Sequence, residues 1–354
     1  MSDADSRASR QPTIVEVADR AGVAIGTVSR YLNGQPVRAG NRDQIARAIH
    51  DLGYRRNALA AAMKSNLTNT VGFMVPNLSE FHGAVLEHLS REMRKQGRAL
   101  LTYCHNDESE SVYDLLDFFD SHRVDALVMD GRADAADRIH QFIEAGTPVI
   151  FYDNDAEGPR ADRVFVEHRA ASFRAVCHLL DIGHSKVAVL TGDTQVFAGR
   201  ERYEGYREAM RSRGIEINPD YVLDSHWNEN DAYSGMLQLL TLPEPPTAVF
   251  CCNYNMAVGA LRRIKEQGLR VPDDMSIVSF DDVPLFRLHE AGITAIAQPV
   301  AKIASTISSI LKTRLSDRTG AHAPHIITLD CDIVLRGSTR RLLTPENIAR
   351  RPRQ

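Results

Sequence analysis

The residues that could do chemistry in this chain stand just behind short apolar runs. Asn77 follows VGFMV (71–75), Asp153 follows PVIFY (148–152) and Asp193 follows KVAVL (186–190). Asn253 follows AVFCC (248–252), and Asp281 follows SIVSF (276–280). Carboxylates and amides in such places bind hydroxyl-rich ligands through charge-assisted hydrogen bonds. A polar loop at a strand end is also ordinary, so about half of this set is expected to touch a ligand. Nothing in the chain points to catalysis. There is no GxSxG elbow, phosphate-binding Walker loop, HExxH or zinc-ligand spacing, and the 13 histidines are scattered. No catalytic residue, metal or cofactor is therefore assigned.

A second chemistry lies near the N-terminus. Between Arg7 and Asn66 there are ten basic and four acidic residues, a net +6 in a chain whose total is −4. The remainder is thus −10. A basic module on an acidic body fits a DNA-binder whose body stays off phosphate.

The elements that must position these residues are legible from periodicity. Ile14, Val17, Ala18 and Ala21 share one helical face, Val28 and Leu32 another, and Ala21-Gly22-Val23 turns between them. Ile45, Ala48, Ile49 and Leu52 form a third face, which ends before Gly53. Each helix is too short to persist alone, so each buries its face against the others. Helix, turn, helix and supporting helix make a helix-turn-helix module. After Asn66 the pattern changes to α/β. VGFMV, ALLTY (99–103), ALVM (126–129) and PVIFY read as parallel strands. So do KVAVL, YVL (221–223), AVFCC and SIVSF, with helical stretches between them. A break near 160–168 separates two doubly wound lobes, whose strand ends face a shared cleft.

Length suggests two or three domains. No apolar run reaches the roughly 18 residues of a membrane span. The polar start MSDADSRASRQ lacks a signal core, and the five cysteines form no CxxC pair, so a reducing cytoplasm is expected.

At this point the chain resembles the LacI/GalR family of bacterial transcription regulators, from Pro12 to about Gly337. The resemblance rests on TIVEVADRAGV, GTVSRYLNG and DLGYRRNALA in the first part. In the body it rests on VGFMVPNLS, RVDALVMDG, LLDIGHSKVAVLTG, RERYEGYREAM, the long stretch PPTAVFCCNYNMAVGALRRIKEQGLRVPDDMSIVSFDD, and ITAIAQPV. It implies a disordered segment 1–11, a headpiece 12–56, a hinge helix 57–66, a periplasmic-binding-protein-like core 67–340 and a flexible tail 341–354. Lobe 1 would take about 67–164 and 297–325, and lobe 2 about 165–296 and 326–340. The chain would cross between them near 164, 296 and 325.

In the headpiece the resemblance implies that Thr27, Ser29, Asn33 and Tyr54 lie near phosphates and that Arg30 reaches a base edge. Arginine's paired donors match guanine O6 and N7. Ile25 and Gly26 occupy the operator-choosing positions. Neither offers a polar side chain, so methyl contact from Ile25 to thymine is expected, unless Ile25 belongs to the core. Ala24 replaces the usual capping serine, the loop QPVRAGN is one residue short, and Asn41 stands where threonine is common. The hinge would carry Asn57, Ala60 and Met63, with Met63 in place of the family's leucine wedge.

In the core the family's effector positions carry over onto Asp153, Arg202, Trp227, Asn253 and Asp281. Tyr254 stands where the family often has aspartate, and Glu80-Phe81-His82 replaces its proline-phenylalanine pair. A sugar or sugar derivative is the expected effector, with a nucleoside or sugar acid as alternatives. The expected partner is double-stranded operator DNA, bound by a homodimer through two half-sites. The dimer face would involve the helix near 83–96 and the segment 281–291. The tail lacks heptads, so no further assembly is expected. The competing reading is a solute-binding protein without a transcriptional role.

Overall fold

The computed structural model describes residues 12–32, 34–55, 67–105, 111–317 and 323–342. Among these, the chain forms two compact units, residues 1–68 and 69–354.

The first unit holds α1 (Ile14–Ala21), α2 (Ile25–Leu32) and α3 (Ala39–Leu52). Val17, Ala18, Ala21, Val28, Ile45 and Ala48 form its buried core, with Leu32, Ile49 and Tyr54 packed around it. The start of α1 is fixed by a reciprocal pair. Thr13 Oγ1 accepts from the Glu16 amide at 3.3 Å, and Glu16 Oε2 accepts from the Thr13 amide at 2.6 Å. This capping box satisfies two donors that the helix itself cannot. Gly22 (φ 63°) and Gly53 (φ 61°) end α1 and α3 in the left-handed region, which only glycine enters without steric cost. The start of helix α2 has no such help, although Gly34 (φ 70°) follows its end. Ala24 precedes it and contributes only its carbonyl, to Thr27 and Val28.

The second unit has two six-stranded sheets. The first contains β1 (Thr70–Val75), β2 (Ala99–Cys104), β3 (Ala126–Met129), β4 (Val149–Tyr152), β5 (Asp162–Val166) and β11 (Ile326–Leu329). Their order is β11-β5-β4-β3-β1-β2, all parallel. The second contains β6 (Val187–Thr191), β7 (Val222–Asp224), β8 (Ala248–Cys251), β9 (Ser276–Phe280), β10 (Thr294–Ala297) and β12 (Asp332–Val334). Their order is β12-β10-β9-β8-β6-β7, with only β12 antiparallel to its neighbour β10.

Helices α4 (Glu80–Lys95), α5 (Val112–Ser121), α6 (Ala136–Glu144) and α11 (Val300–Ser316) accompany the first sheet. Helices α7 (His168–Asp181), α8 (Phe197–Ser212), α9 (Glu229–Leu240) and α10 (Tyr254–Glu266) accompany the second. The central strands β1, β3, β4, β6, β8 and β9 are buried almost throughout, as parallel strands covered on both faces must be.

The lobe boundaries depart from the sequence expectation in one respect. The segment 160–168, read as a break, contains β5, so Phe165 and Val166 belong to the first sheet. Ile326–Leu329, placed in lobe 2, pairs with β5 in that same sheet. The chain therefore crosses at 167, at 298–299 and at 330–331. Two features hid these strands. Asp162 and Arg163 interrupt the apolar run of β5 because both pair internally: Asp162 with Arg314 at 2.6 Å and Arg163 with Asp155 at 2.8 Å. β11 is an edge strand with Ile326 exposed, so it lacks the two-sided apolar signature.

Removing the capping box by Thr13→Ala will destabilise the headpiece by about 0.5–2 kcal/mol, and Ala24→Ser will stabilise it by a similar amount. Amide hydrogen exchange across residues 14–52 of the intact protein measures both. Equal protection in wild type and Thr13→Ala would refute the capping argument.

Candidate functional site

Helix α2 presents its outer face to solvent. Val28 is fully buried, while Ile25 (44% exposed), Gly26 and Arg30 are exposed and Thr27 and Ser29 are half-buried. Ile25 is not part of the headpiece core, so its methyls are available to a partner. Tyr54 is half-buried against that core. Asn33, Asn57, Ala60 and Met63, with the rest of the hinge segment, lie outside the described residues.

In the core unit the structure gathers all five carried-over residues into one cluster where the lobes meet. Asp153 follows β4 and Asp281 follows β9, with φ values of 62° and 71°. A non-glycine residue in the left-handed region is strained, and such strain is tolerated where a side chain must be aimed. Arg202 reaches in from α8 and is 4% exposed. Its Nη1 donates to the Cys252 carbonyl at 2.7 Å, and its Nε to His168 Nδ1 at 3.2 Å. Its Nη2 lies 3.5 Å from Asp153 Oδ1, and the guanidinium stacks 3.8 Å above the Phe280 ring.

Trp227 follows β7, also with positive φ (62°). It is pressed onto Gly192, where an added Cβ would come within 2.0 Å of the indole. Asn253 plays a supporting part. Its Oδ1 caps α10 through the Met256 amide at 2.8 Å, and its Nδ2 donates to the Trp227 carbonyl at 3.1 Å. The amide therefore fixes the tryptophan loop. Asn77 and Asp193 are likewise spent on local turns, accepting from Ser79 and Gln195.

The structure adds residues that sequence reasoning missed. His82 Nδ1 is 2.9 Å from the Tyr152 hydroxyl. His105 Nε2 is 2.9 Å from Asp130 Oδ1. Gln298 donates to Asp281 Oδ1 at 2.7 Å. His168 contacts both Arg202 and the Asp153 carbonyl. His168 was obscured because its segment read as a break; His82 was visible only as a departure from the family's pattern.

Burial dominates the electrostatics. It raises the Asp153 carboxyl from 3.8 to about 6; the Arg202 guanidinium opposes the rise and Asp130 adds to it. Burial also raises Asp281, again against Arg202. It lowers His82 from 6.5 to about 4 and His168 well below its ordinary value, so both rings are neutral at pH 7. Asp153 Oδ1 and Gln298 Oε1 are buried acceptors without a hydrogen-bond donor among the described residues. Such atoms are costly unless a ligand supplies the donor. Among the described residues, no group of three His, Cys, Asp or Glu side chains is arranged to hold a metal ion.

Below pH 3.8 the Asp153 carboxyl holds its proton in both folded and unfolded states; between 3.8 and about 6 only the native state retains it. Stability therefore falls as pH rises through that window and is flat above it. Asp153→Asn removes the penalty, which is worth about 3 kcal/mol. The variant's melting temperature will overtake that of wild type between pH 4 and 6 and keep its lead above. A constant difference across that range would refute the assignment.

Two protein-family models match. Residues 13–57 match bacterial regulatory proteins of the lacI family, and residues 176–339 match a periplasmic binding protein-like domain. A repressor named PurR from Haemophilus influenzae is 32% identical over 343 residues, covering 94% of this chain and 99% of its own length. Another repressor named PurR, from Pasteurella multocida, is 30% identical with the same coverage. Among solved structures, a complex of the transcriptional regulator CelR with cellobiose superposes with a TM-score of 0.70. It is 26% identical and covers 93% of this chain and all of its own. The lac repressor dimer bound to operator and the anti-inducer ONPF shares the fold, with a TM-score of 0.80 at 23% identity, covering 94% of this chain and all of its own. Headpiece, cleft and relatives agree: the chain belongs to the LacI family of bacterial regulatory proteins, ligand-responsive transcriptional repressors that bind DNA and are not enzymes.

Proposed function

We propose that this repressor binds a pseudo-palindromic operator as a homodimer and that a neutral, hydroxyl-rich sugar or sugar derivative sets its operator affinity from the core cleft. The observation that carries this reading is the buried cluster of Asp153, Arg202 and Asp281 beside Trp227. Carboxylates accept from vicinal hydroxyls, the guanidinium they flank donates to them, and an indole beside them provides flat apolar surface for a sugar ring. The cellobiose held by the CelR relative is of this class. A sugar acid fits less well. Asp130 and Asp281 are buried here and the Asp153 side chain is 11% exposed, and among the described residues Arg202 is the guanidinium that contacts Asp153. A further anion would therefore be repelled.

The dimer face is supported by a groove of about 890 Å³ on lobe 2, lined by Leu261, Val271, Leu285, Phe286 and Leu288. Leu285 is 51% and Leu288 81% exposed. Apolar side chains clustered this openly favour a protein partner, and a second copy supplies the second half-site reader. Effector binding changes how the lobes sit together. Through the dimer this changes operator affinity, a coupling that runs equally in both directions.

Titration of the intact protein with neutral sugars, sugar acids and nucleosides tests the reading, following Trp227 fluorescence and operator binding in the same samples. A neutral sugar is expected to shift both signals, and the direction assigns it as inducer or corepressor. Asp281→Ala should abolish that response while leaving operator binding intact. Response to a sugar acid alone would overturn the effector class. Arg30→Ala should weaken operator binding by about 1–3 kcal/mol. Leu288→Glu should yield monomers in analytical ultracentrifugation; a persistent dimer would move the interface elsewhere.

A further inference from the structure

Each lobe of the core completes a helix belonging to the other. Helix α8, in lobe 2, begins after Val196, whose extended backbone (φ −85°, ψ 152°) suits a capping residue but whose side chain cannot cap. The missing acceptor comes from lobe 1: Asn154 Oδ1 accepts from the Ala198 amide at 2.9 Å. In the opposite direction, α4 in lobe 1 has its own cap, Ser79 Oγ accepting from the His82 amide at 3.3 Å, and its first amide, that of Glu80, donates to the hydroxyl of Tyr254 at 3.3 Å. Tyr254 opens α10 in lobe 2. Both partners adjoin residues of the cleft, Asn154 next to Asp153 and Tyr254 next to Asn253.

Asn154 is held firmly for this task. Its amide donates to the Tyr152 carbonyl at 2.7 Å, and its carbonyl accepts from Gly131 at 2.8 Å. Gly131 is so close that a Cβ there would lie 2.3 Å from the Asp155 carbonyl carbon. Ala198 is 2% exposed with the lobes together, so Asn154 and not water satisfies its amide there. Arg202 stands one helical turn beyond Ala198, so the contact that caps α8 also places the guanidinium against Asp153.

We propose that Asn154 and Tyr254 are positioning residues that hold the lobes together, each accepting from the first turn of a helix in the opposite lobe. Separating the lobes takes the acceptors from the Ala198 and Glu80 amides at once. Closure is thereby coupled to two helix starts, and an effector acts on a state the protein already favours. The link to regulation rests on the cleft being the effector site; the capping itself does not.

Hydrogen exchange on the intact protein without added ligand tests the proposal, using peptides that cover the starts of α8 (197–200) and α4 (79–82). Asn154→Ala is expected to speed exchange about two- to thirty-fold at both segments. Tyr254→Phe, which keeps the ring and removes the acceptor, should also speed both and guards against misfolding of the first variant. Adding Val196→Ser to Asn154→Ala gives α8 its own cap. Protection should then return at 197–200 while 79–82 stays fast. Acceleration confined to the helix whose cap was removed, recovery of both segments on adding Val196→Ser, or no acceleration at all would overturn the proposal. None of these outcomes depends on an effector, so a failure here leaves the effector reading standing, and a failed effector titration leaves this one standing.

Discussion

A buried guanidinium cannot stand unpaired, and much of the core's arrangement follows from satisfying Arg202. Its donors reach the Cys252 carbonyl beyond β8 and the ring of His168 at the first crossing, and its charge faces Asp153 beyond β4. One side chain thus touches both lobes and a connection between them. Taking such a cation out of water costs several kcal/mol unless geometry and hydrogen bonds compensate. The compensation here recruits Phe280 as a stacking surface and keeps His168 neutral. Loss of the His168 acceptor would leave a buried donor short of its match, so the cluster behaves as a unit.

The same logic explains why the strand-end residues divide into two kinds. Asn77, Asp193 and Asn253 spend their acceptors on nearby amides and shape the loops. Asp153 and Asp281 sit in left-handed backbone; Asp281 Oδ1 takes the Gln298 side-chain amide, and Asp153 Oδ1 finds no donor among the described residues. Residues of one type at one kind of position therefore do different work. The difference is set by whether a local amide lies within reach.

Much of this was legible in the sequence. The headpiece follows from the apolar periodicity of three short helices and two glycines, because local spacing alone decides which faces can be buried. The central strands announce themselves as apolar runs because they are covered on both sides. β5 and β11 were missed for a reason that sequence carries poorly: the acid in β5 is neutralised by a partner far along the chain, Asp162 by Arg314, and the base by Asp155 in the preceding loop. The lobe-1 wall of the cleft, with His82, Tyr152 and the Asp130–His105 pair, was invisible for the same reason. Its members lie on separate elements, and nothing in their spacing reveals that they meet. The resemblance to known regulators supplied the opposing wall, since its residues sit inside recognisable motifs.

The glycines lining the cleft set which parts of the pocket can diversify. A side chain at Gly192 would collide with the indole of Trp227, and one at Gly131 with the backbone at Asp155 and Ala156. Those positions admit no variation without rebuilding the floor. The lobe-1 side is different, because His82 and Tyr152 meet side chain to side chain and not against backbone. Descendants of this protein could acquire a taste for new ligands by changing one wall while inheriting the other. Gene duplication would then find new inputs cheaply on the histidine side and almost never beneath the tryptophan.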